Sequence, residues 1–333
     1  MPPQTDIQHN PTCLLLPGIV PSYRTELGMM VQGKSEEVIQ TAEFEKLRGK
    51  VQLIFTSPPF PLNRKKKYGN LQGEEYLNWI ASFAPKWKEL LTPTGSIVIE
   101  LGNAWEQGSP VMSTLALETL IKFKQKGRLK LCQQFIAYNP ARLPSPAEWV
   151  TVQRIRVKDS YTNVWWMSPT AKPKANNRNV LTEYSDAMKH LLKTGAYNSG
   201  KRPSEFAINE TSFLNDNGGA IPGNVLRVAN TRGTDEYLRY CAEHNLPLHP
   251  ARMAYELPEF FIKFLTDPGD LVLDPFGGSN TTGATAERLG RQWISVELDE
   301  DYIAGSMGRF SDKLVEIDDS RTTSCALIGA VTR

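Results

Sequence analysis

Thr56-Ser57-Pro58-Pro59-Phe60 directly follow an apolar run, Val51–Phe55. Two successive prolines fix two φ angles and remove two N–H donors. What remains is a stiff turn offering carbonyl oxygens, the Ser57 hydroxyl and the Phe60 ring. This set suits the exocyclic amino nitrogen of cytosine or adenine. Such a nitrogen shares its lone pair with the ring and is a weak nucleophile. Acceptors on its two N–H bonds, the Pro58 carbonyl and the Ser57 hydroxyl, favour a tetrahedral nitrogen with an available lone pair. Phe60 can stack on a base flipped out of a duplex. A proline-stiffened loop with Phe60 as a core anchor explains the same residues, so the tetrapeptide alone does not decide.

Leu271–Gly283 (LVLDPFGGSNTTG) reads as strand, loop and helix. Gly277 and Gly278 let the backbone approach a ligand closely. Glu297 ends the next apolar run. An acid about 20 residues beyond a glycine-rich turn is placed to bind ribose hydroxyls. The spacing is not GxGxxG, and no GKS or GKT is present. The helix opens with Thr281 and Thr282 rather than a cation that could meet a pyrophosphate. A ribose acid without a phosphate signature favours S-adenosylmethionine over a dinucleotide. Asp274 would then face the cationic amino-acid end of that cofactor. The alternatives are an ordinary glycine turn and a nicotinamide-dependent oxidoreductase.

Together, in this order, the two segments resemble the permuted β-class of DNA amino-methyltransferases. In that class Ser/Asp-Pro-Pro-Phe/Tyr comes first, Asp-Pro-Phe-x-Gly-x-Gly-Thr-Thr last, and a target-recognition region lies between. The resemblance runs from about residue 8 to 310 and points to the PvuII-type cytosine-N4 branch. Matching segments include Arg64–Asn70, Leu143–Trp149, Arg154–Asp159, Val164–Trp166, Asp216–Pro222, His249–Arg252, Leu257–Ile262 and Phe276–Gly283.

The resemblance implies a circularly permuted, Rossmann-like α/β fold: a doubly wound, mostly parallel sheet with an irregular target-recognition insert. It implies site-specific methyl transfer from S-adenosylmethionine to cytosine N4 in double-stranded DNA, with base flipping, as in restriction–modification systems. Ser57, Pro58, Pro59 and Phe60 would form the catalytic loop. Asp274, Phe276, Gly277, Gly278, Asn280, Thr281, Glu297 and His249 would hold the cofactor. Glu100 closes the strand expected beside the catalytic one, where the branch has an Asp that hydrogen-bonds the catalytic serine. Two further departures stand out. Asn280 occupies the second glycine of FxGxG, and Gly33-Lys34 stands where Gly-Asp is common. Any carboxylate contact from that end would have to come from elsewhere. Ser at position 57 favours cytosine, whereas Asp or Asn would favour adenine N6. Carbon-5 methylation needs a cysteine nucleophile, usually after proline, and no cysteine here follows a proline. Similarity within the insert implies a palindromic target such as CAGCTG.

Arg64, Lys65, Lys66 and Lys67 follow the catalytic loop directly and could grip phosphates flanking the target base. A solvated charged loop is the plain alternative. Arg154, Arg156 and Lys158 alternate along an expected strand, one face of which would meet DNA. Trp149, Trp165 and Trp166 read as core residues. Net charge is only +2, so any basic surface is local. A DNA-binding module without catalysis remains a third class.

The elements that must position these residues follow from pattern. The 333 residues are 40% hydrophobic and 22% charged, which indicates a folded chain able to bury a large core. Cys13, Cys132, Cys241 and Cys325 form no CxxC pair, so reduced thiols in a cytoplasmic protein without a metal site are expected. No membrane span or signal peptide is expected, and a monomer suffices. Residues 1–25 read as an arm, 26–140 as the catalytic half, 141–245 as the target-recognition region, 246–315 as the cofactor half and 316–333 as a tail. Strands are predicted at Met29–Val31, Val51–Phe55, Ser96–Leu101 and Leu131–Ala137. Helices are predicted over Ser35–Leu47, over Glu74–Leu91 with a kink or split at Pro85, and from Pro110 through Phe123. The recognition region lacks helical periodicity outside Glu183–Leu192. Beyond it come helix Glu256–Leu265, strand Leu271–Leu273, helix Thr281–Leu289, strand Trp293–Val296 and helix Asp301–Lys313. That alternation implies a parallel, helix-covered sheet.

Overall fold

Val51–Thr56 is buried at every position, as a strand covered on both faces must be. In the computed structural model it lies near the centre of a nine-stranded sheet. The structure describes residues 16, 18–60, 71–195, 200–201, 207–208, 213–228 and 235–317.

The described chain opens with β1 (Tyr23–Arg24), β2 (Gly28–Gln32), α1 (Ser35–Val38), α2 (Ala42–Glu45) and β3 (Val51–Thr56). Then come α3 (Gly73–Leu90), β4 (Leu91–Gly102), α4 (Leu115–Gly127) and β5 (Lys130–Tyr138). The middle holds β6 (Tyr161–Ser168), α5 (Asp186–Thr194), β7 (Gly200–Lys201), β8 (Ala207–Ile208), β9 (Val225–Arg227) and α6 (Glu236–Glu243). The last third supplies α7 (Glu256–Leu265), β10 (Leu271–Asp274), α8 (Thr281–Arg288), β11 (Gln292–Glu297) and α9 (Glu300–Ser306).

The strand order is β1-β2-β11-β10-β3-β4-β6-β5-β9. The five strands from β2 through β11, β10 and β3 to β4 run parallel. β1 and β6 are antiparallel to their neighbours. This is the mostly parallel, doubly wound sheet expected. One apolar layer, with Phe44, Phe83, Trp87 and Phe123, covers the α3–α4 face. The other, with Phe261, Trp293 and Phe310, covers the α7–α8 face. The parallel strands place the ends of β2, β11, β10 and β3 at one edge, where open α/β sheets bind ligands.

Several predicted elements differ. Ser35–Leu47 is two short helices, because Thr41 interrupts the first and caps α2 by accepting from Phe44 N–H. Pro85 does not split α3. It sits on the exposed side, while Tyr76, Leu77, Ile80, Phe83, Ala84, Trp87 and Leu90 are buried on the other. Burying that face, at about 1.5–3 kcal/mol per large side chain, outweighs one missing helical hydrogen bond. Pro110 opens no helix. It lies in a loop closed by a Trp105–Met112 bridge, and α4 starts at Leu115. The final helix ends at Ser306 and continues as a 3-10 turn, Met307–Arg309. The region between the halves is not wholly irregular, since its β6 enters the main sheet. Trp165 and Trp166 of that strand are buried, but Trp149 is only half-buried.

Candidate active site

Thr56 ends β3 and Asp274 ends β10. The Thr56 hydroxyl donates to Asp274 Oδ1 at 2.8 Å, joining loops more than two hundred residues apart in sequence. Both loops line one cavity of about 810 Å³. Ser57, Pro58, Pro59 and Phe60 form part of its wall, and Asp274, Phe276, Gly277, Gly278, Thr281, Glu297 and His249 form another part.

Asp274 Oδ1 also accepts Phe276 N–H at 3.1 Å. Burial pushes its carboxyl up to about 6, against hydrogen bonds from Thr282 and Thr56 that lower it. A carboxyl so desolvated gains from a cationic partner. Glu297 takes three backbone N–H groups: Gly278 at 2.7 Å, Leu298 at 2.8 Å and Asp299 at 2.9 Å. Burial raises its pKa as well. A carboxylate offers about four acceptor sites, so one remains for a ligand hydroxyl.

Gly278 has φ +51°, and a Cβ there would meet His249 Nε2 at 3.1 Å. His249 therefore closes directly over the loop. Its Nδ1 accepts Ala251 N–H at 3.3 Å, and its ring meets Tyr302 edge-on at 4.4 Å. Phe276 packs among Trp79, Phe83 and Trp87.

Asn280 departs from the expected cofactor role. It does not line the cavity and is wholly buried. With φ +53° it caps α8, accepting Gly283 N–H at 3.1 Å and the Ser295 hydroxyl at 2.7 Å. Its amide donates to Tyr23 at 2.8 Å. Asparagine thus supplies both the left-handed turn of the missing glycine and a cap.

Glu100 hydrogen-bonds Ser57 despite its extra methylene. It also accepts from the Thr162 hydroxyl at 2.8 Å. Burial holds its carboxyl above the ordinary range, opposed by those bonds and by the nearby Arg142. Behind it, Asn163 donates to Asn103 and Asn103 to Asp159, each at 2.9 Å. Phe60 packs against Gly102, where a Cβ would come within 2.7 Å of its ring.

The DNA methylase family N6_N4_Mtase matches residues 51–307. The chain belongs to this family. The Type II methyltransferase M.PvuII of Proteus hauseri is 44% identical over 297 residues, 89% of this chain and 87% of that one. M.BglII of Bacillus subtilis is 24% identical over 253 residues, 76% of this chain and 61% of its own. The solved PvuII DNA methyltransferase, described as cytosine-N4-specific, matches with TM-score 0.71 at 37% identity, covering 92% of this chain and 93% of that one. Membership of a DNA methylase family sets aside the nicotinamide reading.

Of the cations expected to meet DNA, Arg64, Lys65, Lys66 and Lys67 lie outside the described residues. Arg154, Arg156 and Lys158 are exposed, but they occupy no strand. They follow a π-helical turn, Glu148–Val152, and Arg154 has φ +58°. Arg156 donates to the Pro110 carbonyl at 3.0 Å, and Lys158 to those of Pro140 and Arg142 at 2.7 and 3.2 Å. Two of the three cations thus fasten the segment to its neighbours. Asp159 ties it to Asn103, just past β4, whose Gly102 meets Phe60.

Sequence reasoning missed much of the methylase cavity wall. Ser35, Glu36, Leu71, Tyr76, Trp79, Met253 and Tyr302 all line it. The signal for Tyr76 and Trp79 was present as helical spacing, but spacing alone reads as core. Lys34 also lines the cavity and pairs with Glu37 at 2.9 Å. The carboxylate sought near it is offered by Glu36, which accepts the Trp79 indole N–H at 3.4 Å. Among the described residues no helix is long and apolar enough to cross a membrane.

Proposed function

We propose that this DNA methylase transfers a methyl group from S-adenosylmethionine to N4 of cytosine at a specific site in double-stranded DNA, as the modification enzyme of a restriction–modification system. The observation that carries it is the Thr56–Asp274 contact, which brings both loops to one cavity. The cavity fits the cofactor. It holds a ribose-type acid, Glu297, a desolvated Asp274 suited to a cation, and the aromatic wall of Phe276 and Trp79. S-adenosylmethionine supplies an electrophilic sulfonium methyl.

The chain's residues do the rest. The Pro58 carbonyl and the Ser57 hydroxyl accept the two amino N–H bonds, which frees the nitrogen lone pair. Phe60, backed by Gly102, stacks on the extruded base. As the N–C bond forms and the S–C bond breaks, the nitrogen must shed a proton. Ser57 is bonded to Glu100, whose raised pKa suits it to receive that proton through the hydroxyl. Positioning and acceptor contacts supply the rate without a covalent intermediate.

The test is product analysis. Purified protein, S-adenosylmethionine and unmodified duplex DNA are incubated, and the DNA is digested to nucleosides for mass measurement. N4-methylcytosine is expected, and N6-methyladenine alone would refute the cytosine assignment. The resemblance within the insert makes CAGCTG the first duplex to try. Absence of transfer to that duplex, with transfer elsewhere, removes this target.

A further inference from the structure

Gly278 and Asn280, on either side of Ser279, hold left-handed backbone, with φ +51° and +53°. A side-chain-bearing residue in that region persists only where its surroundings impose it. What holds this turn therefore decides the shape a ligand meets. Asn280 is held through its own side chain, by α8, Ser295 and Tyr23. Gly278 and Ser279 are met by side chains from two other elements, α6 and the 3-10 turn after α9.

Arg309, in that 3-10 turn, donates its Nε–H to the Ser279 carbonyl at 2.6 Å. Its terminal nitrogens reach Ser279 Oγ at 3.4 Å and both Asp235 oxygens at 3.3 Å. Only 9% of the Arg309 side chain is exposed. Asp235 is fixed in turn, because it caps α6 by accepting Tyr237 N–H at 3.1 Å. The Arg309 guanidinium also lies over the Tyr237 ring at 4.9 Å. The Tyr237 hydroxyl accepts the His249 N–H at 2.9 Å, and the His249 ring closes over Gly278. Glycines let α6 come this close. A Cβ at Gly305 would meet Cys241 at 2.9 Å and Tyr237 at 3.2 Å, and one at Gly308 would meet Tyr240 at 2.3 Å. Gly278, Ser279 and His249 line the cavity, whereas Asp235, Tyr237 and Arg309 do not. An arginine fork fixes direction as well as distance, so it can hold a turn in one shape.

We propose that Arg309 and Tyr237 are positioning residues, which hold the Gly278–Ser279 turn and His249 in the shape that S-adenosylmethionine meets. This rests on the reading that the cavity takes that cofactor. The test joins three measurements on wild type, Arg309→Lys and Tyr237→Phe: initial rates with S-adenosylmethionine and unmodified duplex DNA, calorimetric binding of S-adenosylhomocysteine, and melting of the free proteins. Arg309→Lys keeps the charge and loses the planar fork. It raises the cofactor KM and the S-adenosylhomocysteine Kd by about tenfold, the weight of a hydrogen bond from a charged group. Tyr237→Phe leaves the His249 N–H without that acceptor and raises both by about threefold to tenfold, a neutral hydrogen bond's worth. In both variants kcat at saturating cofactor stays within about threefold of wild type, because the lost interaction serves binding rather than transfer. A merely structural role would lower the melting temperature and leave KM and Kd as in wild type, well below the melting range. That result in both variants overturns the proposal. A fall in kcat with KM unchanged puts the two residues in the transfer itself and also overturns it. Tyr237→Phe, the smaller change, decides if Arg309→Lys does not fold. A wild-type protein that neither binds S-adenosylhomocysteine nor uses S-adenosylmethionine overturns the cofactor reading first, and this proposal with it.

Discussion

At the scale of single residues, carboxyls held against their ordinary titration shape the site. Glu100 is desolvated and bonded to Ser57 and Thr162. Glu100→Gln keeps the side chain's shape and one acceptor oxygen but cannot take a proton. We expect kcat to fall by about 10²–10⁴, the usual weight of proton transfer, with S-adenosylhomocysteine affinity unchanged. The rising limb of the wild-type pH profile should flatten in the variant. A kcat within twofold of wild type would exclude Glu100 from the transfer. Asp274 makes a stability prediction. Its pKa rises from 3.8 to about 6 on folding. A raised folded value means the protonated form is favoured in the native state. Its stabilising contribution is complete below the unfolded value and is lost as pH rises through about 6. Asp274→Asn should therefore raise the melting temperature of the free protein at pH 7–8 and change it little near pH 4. The same variant should bind S-adenosylhomocysteine, with its cationic ammonium, more weakly. Melting curves of the free proteins across that range check the first part. Ser57 and Asp274 were legible as chemistry because proline and glycine punctuate so strongly. The cavity-lining Tyr76 and Trp79 were not, because helical spacing alone reads as core.

At the scale of elements, burial and close approach decided where sequence signals conflicted. The parallel strands and α7 were readable from apolar runs and spacing. β6 was hidden, because Tyr161–Ser168 sits among polar, proline-rich segments and pairs antiparallel with a strand far from it in sequence. Pro85 shows the same competition in α3. Pro85→Ala restores a helical donor on an exposed turn, and we expect a melting temperature higher by a few degrees. An unchanged or lower value would show that the helix has fully relaxed around the proline. Gly102 ends β4 against the Phe60 ring. Gly102→Ala puts a methyl within 2.7 Å of that ring and must push Phe60 out of place. We expect kcat/KM for DNA to drop at least tenfold, since about 1 Å of misplacement is costly in a positioned site. Binding of S-adenosylhomocysteine should stay near wild type. Equal loss in both would mean that the whole cavity edge had shifted.

At the scale of the molecule, DNA must be held by local charge, because the chain as a whole carries only +2. We propose the segment after β5 as one place for that charge, since Asn103 and Asp159 tie it to the end of β4, beside Phe60. Its cations are not equivalent. Arg156 and Lys158 already spend donors on the carbonyls of Pro110, Pro140 and Arg142. Replacing them loosens the segment as well as removing charge, so their effects would mix structure with binding. Arg154 makes no side-chain hydrogen bond or ion pair among the described residues and stands exposed on a left-handed turn. It is the clean probe. Removing one phosphate-neutralising cation lowers the slope of log affinity against log salt by about 1. Arg154→Ala should therefore weaken DNA binding at low salt, flatten the salt slope by about that amount, and leave the melting temperature and S-adenosylhomocysteine affinity unchanged. A weakening confined to one duplex sequence, with the slope intact, would instead place Arg154 on a base edge. No change in either measure would place the phosphate grip elsewhere on this face, and would remove Arg154 from it.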